Sequence, residues 1–434
     1  MRESPAAGHS TVLAGWGIEA ALRPAQMLMA APSFLFLAAL TAMLLRHPDV
    51  QFYEIDRLAF GLLFVGVVGR ALATRQLLFL ERASWPMIGL TVLALVSVAG
   101  QSFDQETWSL LASKFIVPFT LFHLAGLVFT REARFRQFEW FSVLVLAYLS
   151  FTAIAFLVGA NWLIFPRYIL DESLGFHADR ARGPLLQAVT NGVALNLLGL
   201  LAVHAYRRGS IPGAKMLVLL ASVPLAIVAT MTRAVWLTSY GTVVALVFLS
   251  KNRVLRLACM VATVVAAVAL AIVLNSQDFG GAVVERLEER GPVDYRAAVY
   301  AGGWDMFLQR PWLGWGFHSM PAELPRHVSG YTEKSLYPHN TYLELLVEHG
   351  VLGLSLYLWL MWEMWRLGRG VIPADEKNGF LDRCFHRLWP ILLAVYWLNA
   401  AVVVMSYQFV NGLLYTLAGM LAAQQRRAEV LPRC

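Results

Sequence analysis

The residues with the clearest chemical potential lie in the stretch YPHNTYLELLVEHG, which starts at Tyr337. His339 and Asn340 stand side by side there, just before an apolar run that predicts a transmembrane helix. An unperturbed imidazole has a pKa of about 6.5, so His339 is mostly the free base at neutral pH and could accept a proton from a hydroxyl group. Asn340 could orient this ring or hold a substrate. The alternative is that His339 only bonds a backbone carbonyl at the start of the helix.

The spacing of Thr341 and Glu344 is that of a capping box, in which a hydroxyl and a carboxyl group satisfy the first amide groups of a helix. It predicts Thr341 as the N-cap and a helix that begins directly after it. Glu348 lies one turn beyond Glu344. This residue is either a partner of the His-Asn pair or an ordinary charge in a wet turn at the membrane interface, and both interpretations stay open.

Arginines elsewhere in the chain could bind an anion, because a planar guanidinium can donate two parallel hydrogen bonds to phosphate oxygens. Arg233 lies in IVATMTRAVWLTSYG, between two apolar segments. It either faces an anion or extends its side chain to the lipid headgroups. Arg180 and Arg182 lie in HADRARGPL, ahead of a Gly-Pro pair. For Arg182 the alternative is a charge in a solvated loop.

A fourth arginine, Arg296, lies in DYRAAVYAGGWDMFLQ. This pattern predicts an amphipathic helix over roughly 294–308, followed by a Trp- and Gly-rich turn. An ordinary surface ion pair with Asp294 or Asp305 is the alternative to anion binding. The anion-binding interpretation requires the helix to fold back over the membrane side of the protein.

Other kinds of chemistry have no pattern in the sequence. His318, His327, His339 and His349 lack the HxxxH or HExxH spacing of a metal site. The chain also lacks a phosphate-binding P-loop, a dinucleotide fingerprint and a GxSxG nucleophile motif. We therefore expect no metal and no cofactor, and chemistry driven by ATP or by sugar nucleotides is disfavoured.

The composition indicates the surroundings in which these residues must work. Of 434 residues, 58% are hydrophobic and 15% are charged. The hydrophobic residues form runs of about 20, which is the length that a helix needs to cross a bilayer. Since lipid permits only helices or closed barrels, the sequence predicts an all-α polytopic membrane protein with about twelve transmembrane helices. The predicted spans are 27–45, 58–74, 84–100, 113–129, 138–159, 185–205, 214–231, 234–250, 255–274, 341–365, 387–405 and 407–423.

The basic residues predict the orientation. If both termini are cytoplasmic, 22 of the 35 Lys and Arg residues fall in cytoplasmic segments and each such segment has some, as the positive-inside rule requires. Arg180, Arg182, Arg233 and Arg296 then lie on the outer side, against this bias. The net charge of +7 is explained by anionic membrane lipids at the inner face, so no nucleic-acid partner is expected.

Long outer segments divide the chain. Loops longer than about 12–15 residues tend to carry function or disorder, and the largest outer segment contains many aromatic residues. The sequence therefore predicts transmembrane helices 1–9 over residues 1–274 and a large, partly helical outer loop over 275–338. Helices 10–12 and a cytoplasmic tail follow over 339–434, so that the loop precedes the third-last helix.

Several of these stretches together resemble the O-antigen ligase and O-antigen polymerase superfamily. RPWLGWGFHSM and YPHNTYLELLVEHGVLG resemble its signature at Pro311, Leu313, Gly314, Gly316, His339, Asn340, Glu348, Gly350 and Gly353. RARGPLLQAVTNG resembles its upstream Arg-x-x-Gly element at Arg180 and Gly183. MTRAVWLTSYG resembles its Arg-containing turn at Arg233, and Arg296 matches the Arg that leads into the Pro-Leu-x-Gly-x-Gly segment.

The resemblance implies a metal-independent, inverting glycosyl transfer in lipopolysaccharide biosynthesis, at the periplasmic face of the bacterial inner membrane. The donor would be an undecaprenyl-pyrophosphate-linked glycan. His339 would act as general base on the attacking acceptor hydroxyl. Arg180, Arg233 and Arg296 would stabilise the leaving pyrophosphate, and Arg182 and Asn340 are further substrate-binding candidates.

Members of the superfamily differ in their acceptor. The chain most resembles the ligase that transfers O-antigen to lipid A-core, because of its number of predicted spans and the position of its large loop. An O-antigen polymerase and a ligase that modifies pilin stay open. So does a function of another class, a transporter of lipid-linked glycan or anions, in which arginines line a pathway between interrupted helices.

Overall fold

A computed structural model describes residues 31–47, 53–76, 79–100, 104–175, 177–211, 213–249, 291–328, 336–373, 376 and 378–430, with single positions between 253 and 268. All regular structure within these residues is helical, as the apolar runs predicted. The helices are α1 (Pro32–Leu44), α2 (Tyr53–Ala73), α3 (Ser84–Ala99), α4 (Gln105–Val128), α5 (Glu132–Leu157), α6 (Ala188–Arg208), α7 (Gly213–Ala229), α8 (Arg233–Leu249), α9 (Gly291–Gln309), α10 (Thr341–Leu367), α11 (Arg383–Ala400) and α12 (Gln408–Val430).

Four of the helices, α4, α5, α6 and α10, are long and apolar enough to cross a membrane. Helices α1, α3, α7 and α8 are also apolar but shorter. By length and composition, these helices make the chain a multi-pass helical membrane protein. Each predicted span overlaps helical residues; of 255–274 only single positions are described, and these are helical. The total of twelve spans stays a prediction.

Helix α6 forms the centre of the bundle, because its apolar window is entirely buried. It packs against α5, α7, α8 and α11. Helix α12 packs against α4: the Asn411 side chain donates a hydrogen bond to the Ser113 carbonyl at 3.3 Å, and the Tyr415 and Phe119 rings lie 5.2 Å apart. These contacts with α12 fix the position of α4 relative to the rest of the bundle.

Helix α4 contains a π-helical turn over Ala112–Ile116. Such a turn inserts one extra residue into the helical ladder and often marks a functional site. Lys114 lies in this turn, and its Nζ is 2.8 Å from Oε1 of Glu344 in the first turn of α10. The irregular turn therefore carries a charged side chain that connects α4 with α10.

Helix α10 is broken at Gly350, whose φ of 62° and ψ of −163° are not helical. The loop that follows α9 fills this break with backbone hydrogen bonds. The amides of Trp315 and Gly316 donate to the carbonyls of Val347 and Glu348, both at 2.9 Å. The amide of Val351 donates to the Pro311 carbonyl at 2.8 Å. We call residues 310–318 the motif loop; its peptide groups replace those that the break removes from the helix.

Helix α9 folds back over the first half of α10, as anion binding by Arg296 requires. An apolar cluster joins the two helices and the segment between them. The Tyr300 hydroxyl also donates to the Ala401 carbonyl at 3.3 Å, next to the end of α11. The predicted helix at 294–308 and the Trp- and Gly-rich turn after it are thus confirmed. The buried members of the cluster are Val299, Met306, Met320, Leu324, Val328, Leu336 and Val347.

We expect Gly314→Ala to destabilise the fold strongly. Gly314 has a φ of 70°, and an added Cβ would lie 2.4 Å from the Glu348 carbonyl carbon and 2.5 Å from the Val347 oxygen. A backbone strain of this kind costs about 1–3 kcal/mol before the steric clash is added. The measurement is thermal unfolding in detergent.

The matched control is Gly61→Ala in α2, where an added Cβ meets no atom within 4 Å. It should be neutral or slightly stabilising, because alanine favours a helix interior by about 1 kcal/mol over glycine. Equal melting temperatures for the two variants would contradict the proposed fit between the motif loop and α10.

Candidate functional site

His339 lies in a non-helical segment directly before α10, with a left-handed φ of 44°. A non-glycine residue holds such a conformation only when its surroundings impose it, and such residues cluster at active sites. On one side the Tyr337 amide donates to the Tyr295 hydroxyl oxygen at 3.0 Å. On the other side the chain enters the cap of α10. The half-buried imidazole is thereby presented at the end of the bundle at which α10 begins.

The N-cap of α10 is Asn340, and the prediction of Thr341 as N-cap is wrong. Oδ1 of Asn340 accepts hydrogen bonds from the amides of Tyr342 at 3.0 Å and Leu343 at 3.1 Å. Glu344 is engaged by Lys114 and does not complete a capping box. The cap uses the side-chain oxygen Oδ1 of Asn340, so the side-chain nitrogen Nδ2 is the part that could hold a substrate.

Thr341 instead connects α10 to the segment between α11 and α12. Its hydroxyl donates to the Val403 carbonyl at 2.9 Å and accepts from the Met405 amide at 3.0 Å. This tertiary contact explains why the cap lies one residue earlier than the local spacing predicts. It also fixes the residue that follows the His-Asn pair.

The imidazole of His339 lies near the rings of Tyr295 and Tyr337, with ring centroids 6.3 and 6.5 Å away. Within the described residues it makes no hydrogen bond to a backbone carbonyl, which was the structural alternative. Burial, and then the positive charge of Arg296, lower the pKa of His339 to about 4. The ring is therefore the free base at neutral pH and can accept a proton.

A buried charge cluster underlies this site. Lys114 and Glu344 form their ion pair with side chains that are only 10% and 9% exposed. Glu348 lies on the same face of α10 and is 2% exposed, so the interpretation of an ordinary charge in a wet turn is wrong. Sequence reasoning passed over Lys114. The signal was there, because a lysine inside an apolar span is costly and normally has a partner or a function.

Two further residues, His318 and Tyr337, lie close enough to the charge cluster to interact with Lys114 and Glu344. Burial, followed by the charge of Lys114, lowers the pKa of His318. Burial, followed by the charge of Glu106, raises the pKa of Tyr337. Both side chains are uncharged at neutral pH and can exchange hydrogen bonds with a polar ligand.

Arg182 has a structural role that the sequence did not reveal. It is 1% exposed, so the interpretation of a solvated loop charge is wrong. Its Nε donates to the Ile169 carbonyl at 3.0 Å, and its two terminal nitrogens donate to the carbonyls of Leu174 and Asp171. These bonds hold the preceding loop together, and a substrate would have to displace them to reach the guanidinium.

Arg180 and Arg233 lie on neighbouring elements. Arg180 is 6% exposed, and its Nε is 3.4 Å from a carboxylate oxygen of Asp179. The amide of Ala181 donates to the Ala229 carbonyl at the end of α7, at 3.1 Å. Arg233 is the first residue of α8 and is exposed. The structure thus brings the Arg180 loop to the turn that carries Arg233.

Arg296 lies close enough to His339 to lower its pKa. Asp305, a suggested ion-pair partner on the same helix, contacts Gln309 at 3.1 Å and His327 at 3.7 Å instead. The structure therefore groups Arg296 with the His-Asn pair. Arg180 and Arg233 lie on separate elements at the same end of the bundle.

The model of a protein family described as O-antigen ligase matches residues 216–358. This segment includes Arg233, α9, the motif loop, the His-Asn pair and the break in α10. We call residues 216–358 the O-antigen ligase domain, after the family whose model they match. A search of curated proteins gave no match.

The O-antigen ligase domain confirms the resemblance to the superfamily. It supports a function of the O-antigen ligase or polymerase type, in which a membrane enzyme acts on lipid-linked glycans. Arg180 lies upstream of the matched residues, so its part in the site depends on the contact between Ala181 and Ala229.

We expect Arg182→Met to destabilise the protein more than Arg180→Met. The Arg182 variant leaves three backbone carbonyls, including that of the buried Ile169, without their charged donor, and one hydrogen bond to a charged group contributes about 1.5–3 kcal/mol. The Asp179 carboxylate that pairs with Arg180 is 69% exposed, so water can solvate it when the guanidinium is removed. Thermal unfolding of both variants in detergent measures the difference. A larger loss of stability in Arg180→Met would contradict the structural role of Arg182.

Proposed function

We propose that the protein is a glycosyltransferase that moves an undecaprenyl-pyrophosphate-linked O-antigen glycan onto a lipid A-core sugar. The reaction takes place at the periplasmic face of the bacterial inner membrane. The observation that carries the proposal is the placement of His339, which is held as a free base beside Arg296 within the O-antigen ligase domain. Its backbone has a positive φ and its side chain is half-buried, which supports a role for the imidazole in binding or catalysis.

His339 would act as general base. As the acceptor hydroxyl attacks the anomeric carbon, its proton passes to the imidazole and the bond from that carbon to the pyrophosphate oxygen breaks. The undecaprenyl pyrophosphate leaves with the electron pair of that bond. Because the acceptor attacks directly opposite the leaving group, the anomeric configuration inverts. No metal is needed for this step if fixed cations stabilise the leaving group.

Arginines would supply those cations. Charge builds up on the pyrophosphate as the bond breaks, and guanidiniums already in place stabilise it without reorganisation of water. Arg296, next to His339, would meet the phosphate nearest the reacting bond. Arg233 and Arg180 would contact the pyrophosphate from the other side. Arg182 would act indirectly, since its hydrogen bonds to the preceding loop hold the chain from which Arg180 projects.

The anionic donor would also tune the base. In the free protein the pKa of His339 is about 4, which makes the imidazole a weak base. A bound pyrophosphate neutralises the field of Arg296 and favours the imidazolium, so the pKa rises when the donor binds. The base would thus strengthen only when the donor is in place.

Transfer by purified protein tests the proposal. With lipid-linked glycan and lipid A-core, we expect glycan-modified lipid A-core in which the anomeric configuration is inverted. His339→Ala should lower kcat by about 10²- to 10⁴-fold, the range for loss of a general base. Arg233→Ala should lower it by about 10²- to 10³-fold, as removal of a charge-stabilising donor does. His327→Ala, a histidine outside the site, should stay close to the wild type.

Membrane insertion and melting temperature are measured for each variant. Near wild-type transfer by an inserted His339→Ala protein would leave the residue as a structural part of the helix start. Longer lipid-linked glycan without modified lipid A-core would identify a polymerase. Modified pilin would identify a protein ligase, and movement of chemically unchanged donor across a vesicle membrane would identify a transporter.

The dependence of kcat/KM on pH tests the assignment of the base. Activity should be lost only as the pH falls through about 4, because the pKa of free His339 is about 4 and the imidazolium cannot accept a proton. Arg296→Gln removes a positive charge that lowers this pKa, so the acid limb should move to higher pH.

Arg326→Gln is the control for this measurement. Arg326 is an exposed arginine that pairs with Glu323 at 2.6 Å, so its replacement should leave the limb in place. The same limb in Arg296→Gln and in the wild type would show that the titrating group is not His339 beside Arg296.

A further inference from the structure

The Lys114 side chain lies where an ammonium group is costly. It is 10% exposed, in an apolar helix, with its Nζ 5.3 Å from the centroid of the Phe317 ring. A buried charge of this kind persists only when it is paired and hydrogen-bonded. The ion pair with Glu344 at 2.8 Å supplies that partner.

The surroundings give Lys114 little freedom. The cavity beside the ion pair has a volume of about 30 Å³, which is room for about one water molecule. Its lining includes the side chains of Tyr396 and Asn411, and the latter bonds to the Ser113 carbonyl next to Lys114. The ammonium group thus has a fixed position relative to α12.

Two parts of the candidate site meet at Lys114. Glu344 is in the first turn of α10, whose amides are capped by Asn340, the residue after His339. Phe317 belongs to the motif loop, and the Lys114 ammonium lies over its ring. The Phe317 amide donates a hydrogen bond to the Ser97 hydroxyl oxygen of α3 at 2.6 Å. The Lys114 ammonium therefore contacts both α10, which begins directly after the His339–Asn340 pair, and the motif loop, which fills the break in α10.

Glu348 makes this arrangement dependent on charge. It lies one turn after Glu344 and is 2% exposed. Its Oε1 has no hydrogen-bond partner among the described residues. Without the ammonium of Lys114, the two carboxyl groups would share a buried site with no cation, and Glu344 would lose the ion pair that ties the first turn of α10 to α4.

We propose that Lys114 is a positioning residue for the glycosyl transfer: through Glu344 and Phe317 it fixes the start of α10 and the motif loop, and thereby the left-handed conformation of His339. The proposal rests on the proposed function, since it assigns His339 as the group being positioned. Lys114 itself does not contact the substrate. Its effect is on the geometry of the base rather than on donor affinity.

The test uses the full-length protein in nanodiscs and the variants Lys114→Met, Glu344→Gln and Lys114→Arg. We expect the first two to lower kcat per folded molecule by about 10²-fold, since a displacement of about 1 Å can have that effect. KM for the lipid-linked donor should stay within about threefold. Lys114→Arg, which keeps the charge, should recover at least about tenfold of the loss. Lys215→Met, an exposed lysine in α7, is the matched control and should behave as the wild type.

Hydrogen exchange without substrate gives a second measurement that does not depend on catalysis. The capped amides of Tyr342 and Leu343 and the motif-loop amides of Trp315 and Gly316 should exchange about tenfold or more faster in Lys114→Met. If the wild-type protein transfers glycan to no acceptor, the proposed function fails, while the exchange rates still decide whether Lys114 holds these elements.

Unchanged kcat and unchanged exchange in a folded Lys114→Met protein would overturn the proposal. If Lys114→Met does not fold, Glu344→Gln decides in the same way. A rise in KM with kcat unchanged would also overturn it, because Lys114 would then serve donor binding.

Discussion

The break in α10 at Gly350 imposes the constraint on which the candidate site depends. A helix that is interrupted among apolar side chains must find partners for the peptide groups that it frees, because lipid and packed side chains offer none. The motif loop provides them, with the amides of Trp315 and Gly316 on one side of the break and the Pro311 carbonyl on the other. The glycines of the signature are required by this backbone contact. The signature of the family therefore describes a structural contact between the motif loop and α10 as well as a site.

The contact between the motif loop and α10 has a direct consequence for the proposed chemistry. It holds the motif loop over the first two turns of α10, where the side chains of Glu344 and Glu348 need a cation. Lys114 reaches them from the π-helical turn of α4. The Lys114–Glu344 pair is therefore buried, whereas Arg296 is half-buried and Arg233 is exposed. In the proposed reaction an anionic ligand would be drawn to Arg233 and Arg296, because the ammonium of Lys114 is already paired with Glu344.

Local patterns in the sequence predicted the helices and the place of His339 directly before α10, because apolar runs and turn residues act over a few positions. The N-cap was missed because Thr341 and Asn340 are both suitable caps, and the choice depends on the bonds of Thr341 to Val403 and Met405. The role of Arg182 was missed for the same reason, since its partners are carbonyl groups that have no sequence signature.

An interrupted helix is also a mark of transporters, in which freed peptide groups point into a central cavity and bind the transported ion. Here the two sides of the interruption bond to the motif loop, and the nearby carboxyl groups face a lysine. Helix α7 likewise continues through Pro224 without a break. The titratable group that we propose for the chemistry is the His339 imidazole at the end of the bundle. This arrangement favours an enzyme that binds its ligand at the surface of the membrane over a protein that passes the ligand through its centre.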